Sequence, residues 1–171
     1  TNEQLMQYLL DIFKDKIDIN MPNNQYSTAF MLAARYQNIE VIQYLYETFK
    51  DEIYINRQDI HGNTAFMLAV YNKNVEIMQY LYETCKDTID INRQDYKGNT
   101  AFMLAVFNQN FEVIKYLCDT FKDAIDINKQ DIYGYTALMV VAKYNTNIEV
   151  IQYLYNTFKD TIDINKRNKY G

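Results

Sequence analysis

Apolar and polar positions along this chain repeat in blocks of 36 residues. The segments STAFMLAA, NTAFMLAV, NTAFMLAV and YTALMVVA place their threonines at 28, 64, 100 and 136. Between them run EVIQYLYETFKDEIYIN, EIMQYLYETCKDTIDIN, EVIKYLCDTFKDAIDIN and EVIQYLYNTFKDTIDIN. Along the helix that follows Asn74, residues Val75, Met78, Leu81, Tyr82 and Cys85 recur at three- and four-residue steps, the spacing of one helical face. Each unit therefore reads as turn, short helix, turn, longer helix and extended exit. Thr64 is placed to cap a helix of about two turns over Ala65 to Tyr71. Asn74 caps the second helix, with Glu76 in its first turn set favourably against the helix dipole. Ile89-Asp90-Ile91-Asn92 alternates as a short extended exit, and Asp95-Tyr96-Lys97-Gly98 reads as a turn.

No unit of this size buries its apolar face alone, so neighbours must stack into a solenoid. One repeat domain is expected over 1–171, with a partial unit at 1–20 and full units at 21–56, 57–92, 93–128 and 129–165. Residues 166–171 open a further unit. The ragged ends read as a segment of a longer array.

The chain resembles the ankyrin-repeat family along its whole length. The family pattern runs Asp-x-x-Gly-x-Thr, then Leu-His-x-Ala-Ala, then a glutamate that opens the second helix. Asp59, Gly62, Thr64, Ala69, Glu76 and Leu81 match it, as do Asp95, Gly98, Thr100, Ala105, Glu112 and Leu117 one unit later. Asp131, Gly134, Thr136, Glu149 and Leu154 follow. The resemblance implies an all-α solenoid of helix-turn-helix units with short β-hairpin loops. The departures are specific. Alanine replaces the motif proline, and Met31, Met67, Met103 and Met139 replace the motif histidine as inner-helix core. Gln37, Lys73, Gln109 and Thr146 stand where the inter-helix glycine belongs. Three extra residues near Phe-Lys-Asp lengthen either the second helix or the outer loop. Tyr26 occupies the turn-glycine position, so the first hairpin is expected to be distorted. One extra residue in TALMVVAKYNTNIE calls for a bulge in the first helix or a longer inter-helix turn.

Composition narrows the function classes. A net charge of −5 and a pI near 4.9 disfavour nucleic acid, which needs a net basic face. No apolar run is long enough to span a bilayer, so no membrane insertion is expected. The start TNEQLMQYLLDIF lacks the features of a secretory signal, and two cysteines make no disulfide framework. An intracellular location, cytoplasmic or nuclear, is the expectation. His61 is the single histidine and sits at a turn tip; no zinc spacing, nucleophile triad or phosphate-cradling loop accompanies it. Cys85 and Cys118 replace the Phe and Tyr of other units and read as buried thiols. The Lys-Asp pairs at 50–51, 86–87, 122–123 and 159–160 read as a solvated edge, and Tyr44, Tyr80, Tyr116 and Tyr153 as half-exposed on the convex face. No catalytic residue, metal or cofactor is expected.

The variable positions carry the functional expectation. Framework residues are pinned by packing, so only outward slots differ without cost. After the Ala pair these are Arg35-Tyr36, Tyr71-Asn72, Phe107-Asn108 and Tyr144-Asn145; at the tips they include Ile60-His61, Tyr96-Lys97, Ile132-Tyr133 and Tyr135. In proteins that this chain resembles, such slots line a concave groove and touch the partner. Tyrosine supplies rigid amphipathic area and asparagine adaptable hydrogen bonds, the mix of a binding surface. The expectation is a monomeric, non-catalytic module that binds a protein partner, with Arg35, His61 and Lys97 favouring an acidic segment. The alternatives are a targeting domain of a larger enzyme or host-directed effector, and a self-associating array.

Overall fold

A computed structural model describes residues 16–144 and 148–171, together with Gln4, Tyr8 and Ile12. Most of the first partial helix, Asn145 and the inter-helix Thr146 fall outside the described residues. The described residues hold eight helices, which pair as first and second members of four units. The first members are α1 (Ala29–Arg35), α3 (Ala65–Tyr71), α5 (Ala101–Phe107) and α7 (Ala137–Tyr144). The second are α2 (Ile39–Phe49), α4 (Val75–Cys85), α6 (Phe111–Phe121) and α8 (Ile148–Phe158).

Both caps act as the sequence implies. The hydroxyls of Thr28, Thr64 and Thr100 accept from the amides of Met31, Met67 and Met103 at 3.2 Å. Asn38, Asn74 and Asn110 accept from Val41, Ile77 and Val113. Each answers a helix-start amide that would otherwise lack a partner. At the far end of α1, Gln37 N donates to Ala34 O and Asn38 N to Ala33 O. That crossed pair is a Schellman closure, and it forces Gln37 to φ 60, Lys73 to φ 61 and Gln109 to φ 53. Side chains thus occupy a conformation that the family glycine takes freely.

The contacts run along the row of first helices and within each pair. Ala34, Ala69 and Ala105 are fully buried, and their small side chains let the first helices approach closely. The second helices carry Leu45, Leu81, Leu117 and Leu154, all buried. A row that is tight on one side and bulky on the other curves, so the first helices form the concave side. The stripe of α4 is Ile77, Met78, Leu81 and Cys85, whereas Val75 and Tyr82 are only half-buried. Ile77 therefore takes the core place expected of Val75, because α3 packs over the turn that carries it. Met31, Met67 and Met103 are core; Met139, in the last pair, is half-buried.

Two expectations resolve here. The extra Lys-Asp-x residues form a turn after the helix, with Thr88 N and Ile89 N both donating to Cys85 O, so they lengthen the outer loop. The first hairpin keeps the geometry of the others. Tyr26 takes φ 58, and Asn23 Oδ1 accepts from the amides of Gln25 and Ser27 as Asp59 Oδ1 does from His61 and Asn63. The asparagine holds the turn, so the missing glycine does not distort it. Helix α7 spans eight described residues, Ala137–Tyr144, and the inter-helix turn that the fourth unit's extra residue was expected to affect lies at 145–147, outside the described residues.

The hairpins hold without any strand among the described residues. In each tip the Asx oxygen draws two amides inward, leaving one for the neighbour: Ile60 N to Gln25 O, Tyr96 N to His61 O, Ile132 N to Lys97 O, and Lys169 N to Tyr133 O. One bond per tip is too few for a ladder. Side chains supply the remaining ties. Asn56 Nδ2 donates to Thr88 O while its Oδ1 accepts from Asp90 N, and Asn92 repeats this with Ala124 and Asp126. Gln58, Gln94 and Gln130 each donate to a glycine carbonyl in their own unit and to a carbonyl one unit on.

Candidate functional site

The concave side carries a channel of about 1160 Å³. Its floor is made by Leu68, Leu104 and Val140 from α3, α5 and α7. One wall is the row of tips: Ile60, His61, Tyr96, Lys97, Ile132 and Tyr133. The other is the row of first-helix ends: Arg35, Tyr71, Phe107 and Asn108, then Lys143 and Tyr144. Tyr135 and Tyr170 close one end. Of the residues singled out from the sequence, Tyr36 and Asn72 do not line the channel. Tyr36 is the exposed C-cap of α1, and Asn72 Nδ2 is engaged with Arg35 O at 2.6 Å.

The large aromatic side chains of both walls are open to solvent. Tyr71 is 61% exposed, Tyr96 66%, Phe107 51% and Tyr133 50%. The rings of Phe107 and Tyr144 touch at a tilt of 44°, with centroids 4.9 Å apart.

Charge is placed unevenly. Arg35 Nη2 binds Asp59 Oδ2 at 2.6 Å, and Asp59 is wholly buried. Asp95 and Asp131 line the channel half-buried, and among the described residues neither forms an ion pair. Lys143 Nζ donates to the Tyr135 hydroxyl at 3.1 Å and lies over the rings of Tyr135 and Tyr144 at 4.6 and 4.9 Å. Its hydrogen bonding to Tyr144 and Tyr135 raises the lysine above its ordinary range. Arg35, one of the three residues that with His61 and Lys97 favoured an acidic partner segment, is thus already engaged inside the chain.

Sequence reasoning missed Lys143, Tyr170, and the channel-facing place of Asp95 and Asp131. A signal for Lys143 existed. Counting seven from the N-cap threonines gives Arg35, Tyr71, Phe107 and Lys143, so the extra residue falls after this slot and Tyr144 follows it. Tyr170 sits in NKYG as Tyr133 does in DIYG.

Other chemistry is thin. Cys85 and Cys118 are buried free thiols, and burial pushes Cys118 up to about 12. Among the described residues no cluster of His, Cys, Asp and Glu is arranged to hold a metal, and no helix is long and apolar enough to cross a membrane. The four Lys-Asp pairs are exposed, and Tyr80, Tyr116 and Tyr153 are half-buried on the convex side.

A curved row of capped helix pairs with projecting tips and an open aromatic channel defines a helical-repeat solenoid. The family model for ankyrin repeats (3 copies) matches residues 1–95 and 83–168, and the chain belongs to the ankyrin-repeat family. Among solved structures it is similar to the ankyrin repeat domain of Bcl-3, described as a unique member of the IkappaB protein family. That likeness has a TM-score of 0.81 at 22% identity and covers 98% of this chain and 70% of the other. No curated protein matches the sequence. Ankyrin repeats are generally protein-interaction modules, and the fold is typically non-catalytic.

Proposed function

We propose that this chain is a non-catalytic recognition module that seats a protein partner in its concave channel. The observation that carries the reading is a formed channel with open aromatics on both walls, Tyr71 and Phe107 on one and Tyr96 and Tyr133 on the other. Partner contact falls to Arg35, Ile60, His61, Tyr71, Tyr96, Lys97, Phe107, Asn108, Ile132, Tyr133, Tyr135 and Tyr144. The domain itself is monomeric and carries no cofactor, and the two unpaired thiols fit a reducing, intracellular setting.

The test is a paired variant, Tyr71→Ala with Phe107→Ala. Both side chains are exposed, so the helical melt should move by less than about 1 kcal/mol. Capture of the partner by the intact domain should weaken at least tenfold. Unchanged capture would overturn the channel reading, and a collapsed melt would show that these residues are core.

A further inference from the structure

Arg35 shows what this channel does with a cation. Arg35 ends α1, and its guanidinium reaches the carboxylate of Asp59, 24 residues on, at the base of the next tip. The same register places Tyr71 against Asp95 and Phe107 against Asp131. Here the cation is replaced by an aromatic face, and the two carboxylates are left half-exposed in the channel without an ion pair among the described residues. Each tip already uses Oδ1 of its aspartate: Asp95 for the amides of Lys97 and Asn99, Asp131 for those of Tyr133 and Tyr135. Asp95 Oδ2 also accepts from Asn99 Nδ2 at 3.1 Å, and its second lone pair can take a further donor. In the first paired unit the other oxygen, Asp59 Oδ2, is the one that receives the guanidinium.

We propose that the channel takes an extended partner segment bearing two arginines, whose guanidinium groups occupy at Asp95 and Asp131 the place that Arg35 occupies at Asp59. This rests on the recognition reading above and adds the chemistry of the partner. Arginine fits better than lysine, because a planar guanidinium can lie on Tyr71 and Phe107 while it binds a carboxylate; an ammonium is compact and strongly hydrated. Neighbouring first helices are about 10 Å apart, and a segment in the polyproline-II conformation advances about 3.1 Å per residue with three residues per turn, so two arginines three positions apart lie on one face at that spacing. Lys97 on the tip wall and Lys143 against Tyr135 keep the channel's total charge near balance. Recognition is therefore by position rather than by overall field.

The probe is a phage-displayed library of random twelve-residue peptides panned against the 171-residue chain. The expected consensus holds two arginines three positions apart. Binding of a selected peptide should fall at least tenfold in the Asp95→Asn, Asp131→Asn double variant, and should weaken as salt rises. Asn23 supports the first tip with the same pair of bonds, so asparagine removes the charge and keeps the turn. Circular dichroism of the double variant confirms that the fold is intact. Peptides that need Tyr71 and Phe107 but carry no basic residue would overturn the arginine proposal and leave the channel reading standing. So would equal affinity for the Asp95→Asn, Asp131→Asn variant. A library yielding only peptides indifferent to Tyr71→Ala with Phe107→Ala, or no binder at all, would remove the channel reading and the arginine proposal together.

Discussion

Arg35 Nη2 lies 2.6 Å from Asp59 Oδ2, and the carboxylate beneath it is wholly buried while the arginine side chain is 31% exposed. The pair joins the end of one unit to the tip of the next, and Asp59 Oδ1 meanwhile holds its own turn. Removing the arginine strands a buried charge, which costs far more than a surface pair is worth. Arg35→Leu should therefore destabilise by about 2 kcal/mol in urea melts. Adding Asp59→Asn should recover most of that loss, since Asn23 shows that asparagine supports such a turn. A double variant no better than the single would show that the charge is not the cause.

Left-handed positions make a second, oppositely signed pair of expectations. Lys73 sits at φ 61, a strained place for a side chain, and nothing in the turn needs more than its backbone. Lys73→Gly should raise stability by about 1 kcal/mol. Gly98 is different. A Cβ there would meet Asp131 Cα and Ile132 N at 2.8 Å, both backbone atoms of the next tip. Gly98→Ala should lower stability by about 2 kcal/mol or more, because the tip row must part. Thermal melts of the two variants that move in the same direction would contradict this account.

The asparagine ladder carries a third. Asn92 makes one bond as donor, to Ala124 O at 2.7 Å, and one as acceptor, from Asp126 N at 2.8 Å. Asn92→Ala leaves both backbone groups without protein partners, and should cost about 1 to 2 kcal/mol. Asn92→Asp keeps the acceptor and loses the donor, so its cost should fall between. Chemical denaturation ranks the three proteins, and an unaffected Asn92→Ala would show that solvent replaces the ladder.

Alkaline pH supplies a fourth. Burial holds Cys118 up to about 12 against an ordinary value of 9.0, and holds Tyr46 and Tyr153 up to about 12 against 10.0. Because the folded values are the higher ones, the unfolded chain loses these protons first. Stability is full below about pH 9 and falls as pH climbs towards 12. Urea midpoints should drop between pH 8 and pH 10.5, and Cys118→Ala should remove the part of that drop that begins near pH 9. Midpoints that coincide at the two pH values would contradict it.

Much of the molecule was legible because the repeat makes each position a test of the others. Thr64 and Asn74 read as caps, since a hydroxyl or amide before an apolar run satisfies amides wherever the helix packs. Cys85 and Cys118 read as buried, since they stand in columns of Phe and Tyr. The core place of Ile77 was not legible, because Val75 and Ile77 are equally apolar and only the direction from which α3 packs selects between them. The intact first hairpin was hidden for a related reason. Tyr26 alone predicts distortion, and only the paired bonds to Asn23 show what outweighs it. Lys143 was missed because the fourth unit carries one extra residue, so Tyr144 and not Lys143 was read into the slot of Arg35, Tyr71 and Phe107.

By itself the sequence determined the repeat, its period, its capped helices and the all-α class, because those follow from local spacing and from contacts made again in every unit. Only the tertiary structure decided which outward residues share a channel, that Arg35 is spent on Asp59, and that Asp95 and Asp131 remain open to it. Those facts depend on how successive units lean against one another. Residues 24 apart meet only when the curvature of the stack brings a helix end over the neighbouring tip, and no local pattern encodes that angle.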